Sequence, residues 1–246
     1  EEVERVTSDA ERVAGTLRLL QELAGLPAPP RRMESYDISH TGGADQVASM
    51  VVFADGRPLK RDYRRFQIKT CTGADDYGAM AEVLERRLRR YLEGDEKFAP
   101  LPDLLLIDGG VQHAHVAEEV LAGLGLSVPV LGMVKDDRHR TRALVTARGQ
   151  EIGIRQFPAL FALIGRVQEE VHRFALAYHH QKHAKSACRS QLDGIAGVGE
   201  ARKKRLLQRF GTVKAVRAAA LPQLEEVLPK PAARAVYTHF HKEADA

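Results

Sequence analysis

Two aspartates stand in this chain where strand packing would not choose them. Asp37 lies in Met33-Glu34-Ser35-Tyr36-Asp37-Ile38-Ser39-His40, an extended stretch just after Pro29-Pro30, at a position where a core strand would carry an apolar side chain. A buried carboxylate is costly unless it meets a cation, a metal or a dense set of hydrogen bonds. Asp108 ends the apolar run Leu104-Leu105-Leu106-Ile107 and is followed by Gly109-Gly110. Such a run fits a strand covered on both faces, and open α/β sheets bind ligands at the carboxyl ends of such strands. Two carboxylates on neighbouring strands would form an oxygen-rich site for a hard divalent cation.

Other residues are weighed against that pair. Asp75-Asp76 opens a helical pattern; Asp75 reads as its N-cap, while Asp76 serves either the helix dipole or the active site. His172 sits on the flank of the stripe Leu160, Ile164, Val167, Val171, Phe174 and Tyr178. It is a packed or half-exposed histidine on one reading and, given two misplaced carboxylates, a further site residue on the other. Arg64 and Arg65, in a stretch with Tyr63 and Phe66, either cover a solvated strand face or contact phosphate. Arg138, Arg140 and Arg142, in the loop after Lys135, divide the same way.

The most specific local pattern is Leu192-Asp193-Gly194-Ile195-Ala196-Gly197-Val198-Gly199, continuing through Arg202, Lys203 and Lys204. Gly197 and Gly199 flanking Val198 permit a tight hairpin with outward N–H groups, and the next helix N-terminus adds free donors. That is a phosphate cradle without base preference, with Lys203 and Lys204 supplying charge. It strongly resembles a helix-hairpin-helix DNA-binding motif. A second helical unit follows from Thr212 to Phe240, but its hairpin, Val227-Leu228-Pro229-Lys230-Pro231, lacks the glycines.

The elements that must position these groups follow from periodicity. Apolar residues from Val3 to Ala24 mark a helix, stopped by Gly25 and Pro27. Three strands are expected at 32–40, 46–53 and 59–69, in an antiparallel meander with a turn at Asp55-Gly56. A helix from Asp75 to about Glu93 precedes the Asp108 strand. Then come a helix at 112–124 and a buried strand at 128–135, a right-handed parallel crossover. A basic loop and small hairpin at 136–154 lead to a helix at 158–181 and a polar, basic linker. The domains expected are an N-terminal helix and connector (1–27), an α/β domain (28–183), a linker (184–191) and an all-α DNA-binding domain (192–246).

At 246 residues and net charge +4, the chain holds one α/β domain plus something small, and leans only slightly towards a polyanionic partner. Cys71 and Cys188 match no zinc or redox spacing and read as free thiols in a reducing cytoplasm. No apolar run is long enough to cross a membrane and no signal peptide is visible, so no membrane partner is expected. The opening at Glu1 rather than a methionine suggests a fragment of a longer protein. His179, His180 and His183 suit a helix end and carry no assigned chemistry.

Seven motifs in collinear order carry a resemblance: Tyr-Asp-Ile-Ser-His at 36–40, Ala-Ser-Met-Val-Val-Phe at 48–53, Tyr-Arg-Arg-Phe at 63–66, Asp-Asp-Tyr at 75–77, Leu-Ile-Asp-Gly-Gly at 106–110, Lys-Asp-Asp-Arg-His-Arg-Thr-Arg at 135–142 and His-Arg-Phe-Ala at 172–175. With the helix-hairpin-helix end, they resemble the C-terminal half of the UvrC family, the excision nuclease subunit of bacterial nucleotide excision repair. The resemblance implies an α/β, RNase H-like mixed sheet flanked by helices. It also implies a metal-dependent endodeoxyribonuclease making the incision on the 5′ side of a lesion. Carried over, the Asp-Asp-His site falls on Asp37, Asp108 and His172, with Asp76 implicated. Asp37 and Asp108 would bind Mg²⁺ or Mn²⁺, with His172 as ligand or base. Lys135, Arg138, Arg140, Arg142, Arg64 and Arg65 join the hairpin as candidate DNA contacts.

The implied partners are double-stranded DNA and, for a full-length protein, the UvrB–DNA pre-incision complex, in a bacterial cytoplasm. The family's GIY-YIG nuclease and UvrB-binding segment have no match here, so 3′ incision and the usual recruitment to UvrB are expected to be missing. The glycine-poor second hairpin departs from the family pattern and puts two-sided duplex contact in question. Two rival readings stand beside this one, a non-catalytic DNA-binding module and another RNase H-like nuclease. Carboxylates argue against the first, because a passive DNA-facing surface gains nothing from negative charge.

Overall fold

A computed structural model describes the backbone of residues 2–41, 45–70, 75–136 and 140–241, and the side chains of 9–39, 46–70, 75–136, 140–177 and 191–241. Arg138 and Cys71 lie outside the described residues, as do the side chains of Cys188, His179, His180 and His183. Helix α1 (Glu2–Ala24) turns Leu17 and Leu20 inward. Strand β1 (Arg32–Thr41) pairs antiparallel with β2 (Asp45–Ala54). Beyond β2, Asp55 and Gly56 both take positive φ, as a two-residue hairpin turn requires.

The third expected strand is broken. It gives a two-residue β3 (Arg57–Pro58), a 3₁₀ turn at Lys60–Asp62 and a short β4 (Arg64–Gln67), with both strands pairing on β2. The ladder makes one more bond past Pro58, from the Leu59 N–H to the Val52 carbonyl at 2.7 Å, before the chain turns away and rejoins β2 beyond Tyr63.

Helix α2 (Asp76–Leu92), strand β5 (Leu104–Asp108), helix α3 (Val111–Gly123) and strand β6 (Val130–Lys135) follow, with β5 and β6 parallel as expected of a crossover. Strands β7 (Thr141–Val145) and β8 (Glu151–Gly153) extend the sheet antiparallel. Among the described residues, eight strands form one mixed sheet in the order β3-β2-β1-β5-β6-β7-β8, with β4 also on β2. Strand alternation divides the core into two layers. Tyr36, Leu105 and Ile107 pack with apolar residues of α2 and α3. Met33, Leu104 and Leu106 pack on the other face, with α1 and with Leu160, Ile164 and Val167 of helix α4 (Pro158–Gln191).

Helix α4 runs on past the end of its apolar stripe, so 184–191 is helical rather than an open connector. Lys, Ala and Arg in that segment are good helix formers, and a polar stretch without Gly or Pro has nothing to stop the helix. The chain divides into two compact units, Glu1–Ala177 and Tyr178–Ala246. The second contains α5 (Glu200–Phe210), α6 (Val213–Ala218), α7 (Leu221–Glu225) and α8 (Lys230–His241) around Leu192, Val198, Leu206, Leu224 and Val236. Among the described residues, no helix is long and apolar enough to cross a membrane.

Candidate active site

The carboxylates meet because β1 and β5 are parallel neighbours. Their last paired residues are Tyr36 and Ile107, and Asp37 and Asp108 each come one residue later. Alternation from Met33 and from Leu104 carries both side chains to the face covered by α1 and α4. Asp76, the first residue of α2, completes the group: Asp37, Asp76 and Asp108 line one pocket of about 380 Å³ with Gly109, His113 and Lys135. Asp75 caps α2, accepting from the Gly78 N–H at 2.9 Å. The two adjacent aspartates therefore have separate placements, one on the cap and one at the pocket.

Lys135 arrives from β6, where the β6–β7 register shifts between Val134 and Lys135. Such an irregularity re-aims a side chain. Its ammonium lies 2.9 Å from both oxygens of Asp108, whose side chain is only 6% exposed. Close backbone approach is built in at Gly132, where a Cβ would come within 2.6 Å of the Gly109 carbonyl oxygen. Only glycine on β6 lets the Asp108-Gly109-Gly110 turn sit so near.

One ammonium does not neutralise this site. Burial, followed by the Asp108 charge, pushes the Asp37 carboxyl up to about 7, against the pull of Lys135. Carboxylate oxygens are the donor type that hard divalent cations such as Mg²⁺ or Mn²⁺ take. Even so, no three His, Cys, Asp or Glu among the described residues are already gathered as a metal cluster.

The raised value has a consequence for stability. Folded Asp37 titrates near 7 against an ordinary 3.8, so between those values, without metal, the native state holds a proton that the unfolded chain has released. Its contribution is full below the unfolded value and is lost as pH rises through about 7. Asp37→Asn cannot ionise and is expected to gain on the wild type across that window. Above the folded value the gain should be roughly 1–2 kcal/mol, the full shift being discounted for solvent screening. Urea unfolding of both metal-free proteins at acid and alkaline pH measures it. A difference between the two that does not change with pH would show that folding puts no pressure on the Asp37 charge.

His172 is exposed and is not among the residues lining the pocket. It stands one turn beyond Gln168 on α4, and the Gln168 side-chain oxygen accepts from the N–H and hydroxyl of Thr141 at 2.8 and 2.5 Å. Thr141 pairs with Lys135 across β6 and β7. Helix α4 thus reaches the edge of the site through neighbours of Lys135, with His172 on the same helical face as Gln168. The imidazole inside the pocket is His113. Sequence reasoning misses it, although an Asp-Gly-Gly turn with a histidine at the start of the next helix is a usable signal. Burial lowers the His113 pKa, opposed by Asp76 and Asp108.

Four of the arginines expected to contact DNA make bonds within the fold. Arg64 donates to the carbonyls of Arg61, Tyr63 and Lys97. The Arg65 guanidinium lies 3.9 Å from the Phe174 ring centroid and donates to the Phe174 carbonyl. Both arginines tie β4 into the fold. Arg140 contacts Asp136, and Arg142 pairs with Glu151.

In the second unit, Gly197 takes φ +78 and the Val198 N–H bonds to the Ile195 carbonyl, the tight hairpin expected from the glycines. Gly199 caps α5 without a side-chain bond. Arg202 donates to the Gly197 carbonyl, while Lys203 is buried against Asp193 and Glu200. The Lys203 ammonium, expected to supply charge to the cradle, is thus already held by two carboxylates. Lys204 is exposed.

The fold is that of an RNase H-like endonuclease domain. Residues 21–176 match the model described as the UvrC RNase H endonuclease domain, and the chain belongs to that family. It is similar to UvrABC system protein C of Thermoanaerobacter sp., 44% identical over 237 residues, covering 91% of this chain and 38% of that protein. The protein of the same description from Finegoldia magna is 45% identical over 211 residues, covering 85% and 34%. The chain therefore spans under two-fifths of the length of these two curated relatives. Among solved structures, human ENDOV shows a loose likeness, with a TM-score of 0.39 at 15% identity, covering 66% of this chain and 90% of that one.

Proposed function

We propose that this chain is the part of a nucleotide excision repair nuclease that cuts the damaged strand on the 5′ side of a lesion. The observation that carries the reading is the meeting of Asp37, Asp76 and Asp108 in one pocket, where β1 leaves its pairing with β5, in a chain of this family. Asp37 and Asp108 would hold Mg²⁺ or Mn²⁺, and a bound ion supplies Lewis acidity towards phosphoryl oxygens and water. Lys135 keeps the Asp108 carboxylate oriented and offers a cation beside the scissile phosphate. His172 is carried as ligand or base by the family resemblance. The substrate is duplex DNA, brought in a longer protein through the UvrB–DNA complex, and the products are a 3′-hydroxyl and a 5′-phosphate.

Nicking of duplex DNA by the purified 246-residue chain with Mn²⁺, compared with an RNA–DNA hybrid, tests this reading. Preferential cutting of DNA is expected. No cutting would favour a binding module, and preference for the hybrid would favour another RNase H-like nuclease.

The hairpin unit would grip phosphates without reading bases. Lys204→Ala is expected to weaken duplex binding for every sequence and to lower the salt slope by about one. Lys203→Ala should leave the slope unchanged and instead destabilise the hairpin, since its charge is held by Asp193 and Glu200. Binding isotherms over a range of salt decide; a drop in slope for Lys203→Ala would put that lysine back on the DNA.

A further inference from the structure

The rim of the carboxylate pocket carries an aromatic feature that the cleavage chemistry does not use. Tyr77 is 47% exposed, leaving about half of the residue to solvent. Its inner side meets His113, with ring centroids 4.6 Å apart and planes tilted by 42°. His113 in turn lies on the backbone at Gly109: a Cβ there would fall 2.5 Å from the imidazole Nδ1. Gly109 takes φ +156 and leaves that space clear. The order from the pocket floor outward is thus Asp108-Gly109, then the His113 ring, then Tyr77, which opens to solvent. Tyr77 directly follows Asp76, a pocket residue, on the first turn of α2.

We propose that Tyr77, backed by His113, is a stacking platform for an unstacked nucleobase next to the scissile phosphate. The inference rests on the nuclease reading and deepens it by naming what the site recognises beside the phosphate. A base adjoins every phosphate, and its flat face is the part of a nucleic acid that approaches an acidic rim without bringing more negative charge. Stacking on an aromatic ring is tolerant of sequence, because every base has a π-face. It demands that the base has left its neighbours in the duplex. Tyr77 would therefore favour distorted or unpaired DNA over regular duplex at the point of cutting. Its contribution is to positioning and substrate choice, while the carboxylates keep the chemistry.

Two measurements on the full 246-residue chain test it. Nicking with Mn²⁺ is followed on a duplex with a short unpaired bubble and on the same duplex fully paired. Tyr77→Ala is expected to lose about ten- to a hundredfold in kcat/KM on the bubble, the range for one lost base stack, and much less on the paired duplex. Tyr77→Phe retains the ring and should restore most of the loss. In the second arm, 2-aminopurine is placed at successive bubble positions and fluorescence is read with Asp37→Asn protein, which leaves the platform intact. Quenching at one position, absent in Asp37→Asn/Tyr77→Ala and present with Tyr77→Phe, supports the stack. Equal kcat/KM for wild type and Tyr77→Ala on the bubble, or quenching that survives the alanine, overturns it. If the wild type does not nick at all, the nuclease reading fails, and the fluorescence arm alone still decides for or against the platform.

Discussion

Asp37→Asn and Asp108→Asn should each reduce nicking by about a thousandfold or more, with folding intact and DNA affinity close to that of the wild type. Each removes a charged oxygen donor from a site whose cation is proposed to supply several kcal/mol to the transition state, and about 1.36 kcal/mol is tenfold in rate. The two substitutions have different collateral effects. Asn at 108 releases Lys135, whose ammonium sits 2.9 Å from the carboxylate. Asn at 37 relieves a group that burial and Asp108 already press towards its neutral form. Asp37→Asn is therefore expected to be the more stable of the two while being as inactive. Single-turnover nicking with saturating Mn²⁺, alongside urea unfolding, measures both. Activity within about tenfold of wild type for either variant would remove that aspartate from the site. His172→Ala belongs in the same series: the family resemblance expects most turnover to be lost. A near-normal rate would leave the pocket carboxylates as the whole site, in keeping with the exposed position of that histidine.

A residue's placement is legible in the sequence when its side chain breaks a local rule. Asp37 and Asp108 do so, being carboxylates at strand positions that packing would fill with Ile or Val. Strand pairing is then enough to bring them together. Asp75 is legible as a cap because capping is a nearest-neighbour effect. Residues whose placement depends on tertiary partners are not. Arg87 falls four residues after Val83 on the buried face of α2, but nothing local supplies its counter-ion, which comes from Glu34 on β1. Lys203 resembles a DNA contact because the carboxylates that hold it, Asp193 and Glu200, have the sequence positions of loop and helix start. Arg64 and Arg65 resemble a phosphate-facing pair, yet Phe174, far along the chain, claims one of them. Nothing local says that the third strand breaks at Lys60–Asp62 or how far along the ladder resumes.

Arg87→Leu is expected to destabilise the first unit by about 3–5 kcal/mol. Glu34 and Arg87 are both fully buried, on the sheet face opposite to the aspartates. The guanidinium donates Nη2 to Glu34 Oε1 at 2.7 Å and Nε to Glu34 Oε2 at 2.9 Å, a two-point pair. Tyr36 donates its hydroxyl to the same carboxylate at 2.7 Å, and Arg87 also serves the carbonyls of Phe98 and Pro100. Removing the guanidinium leaves Glu34 a buried anion with the Tyr36 hydroxyl and a longer contact to Arg32 at 3.7 Å, and it unpairs two carbonyls. Desolvation of a poorly compensated charge, rather than the lost attraction, sets the size of the effect. One comparison isolates that cause. The double variant Glu34→Leu/Arg87→Leu should recover much of the stability, because neither charge is then buried. Urea unfolding of the wild type and both variants measures it. A double variant as unstable as Arg87→Leu would show that the bonds from Arg87 to the 98–100 segment, and not the ion pair, carry the effect.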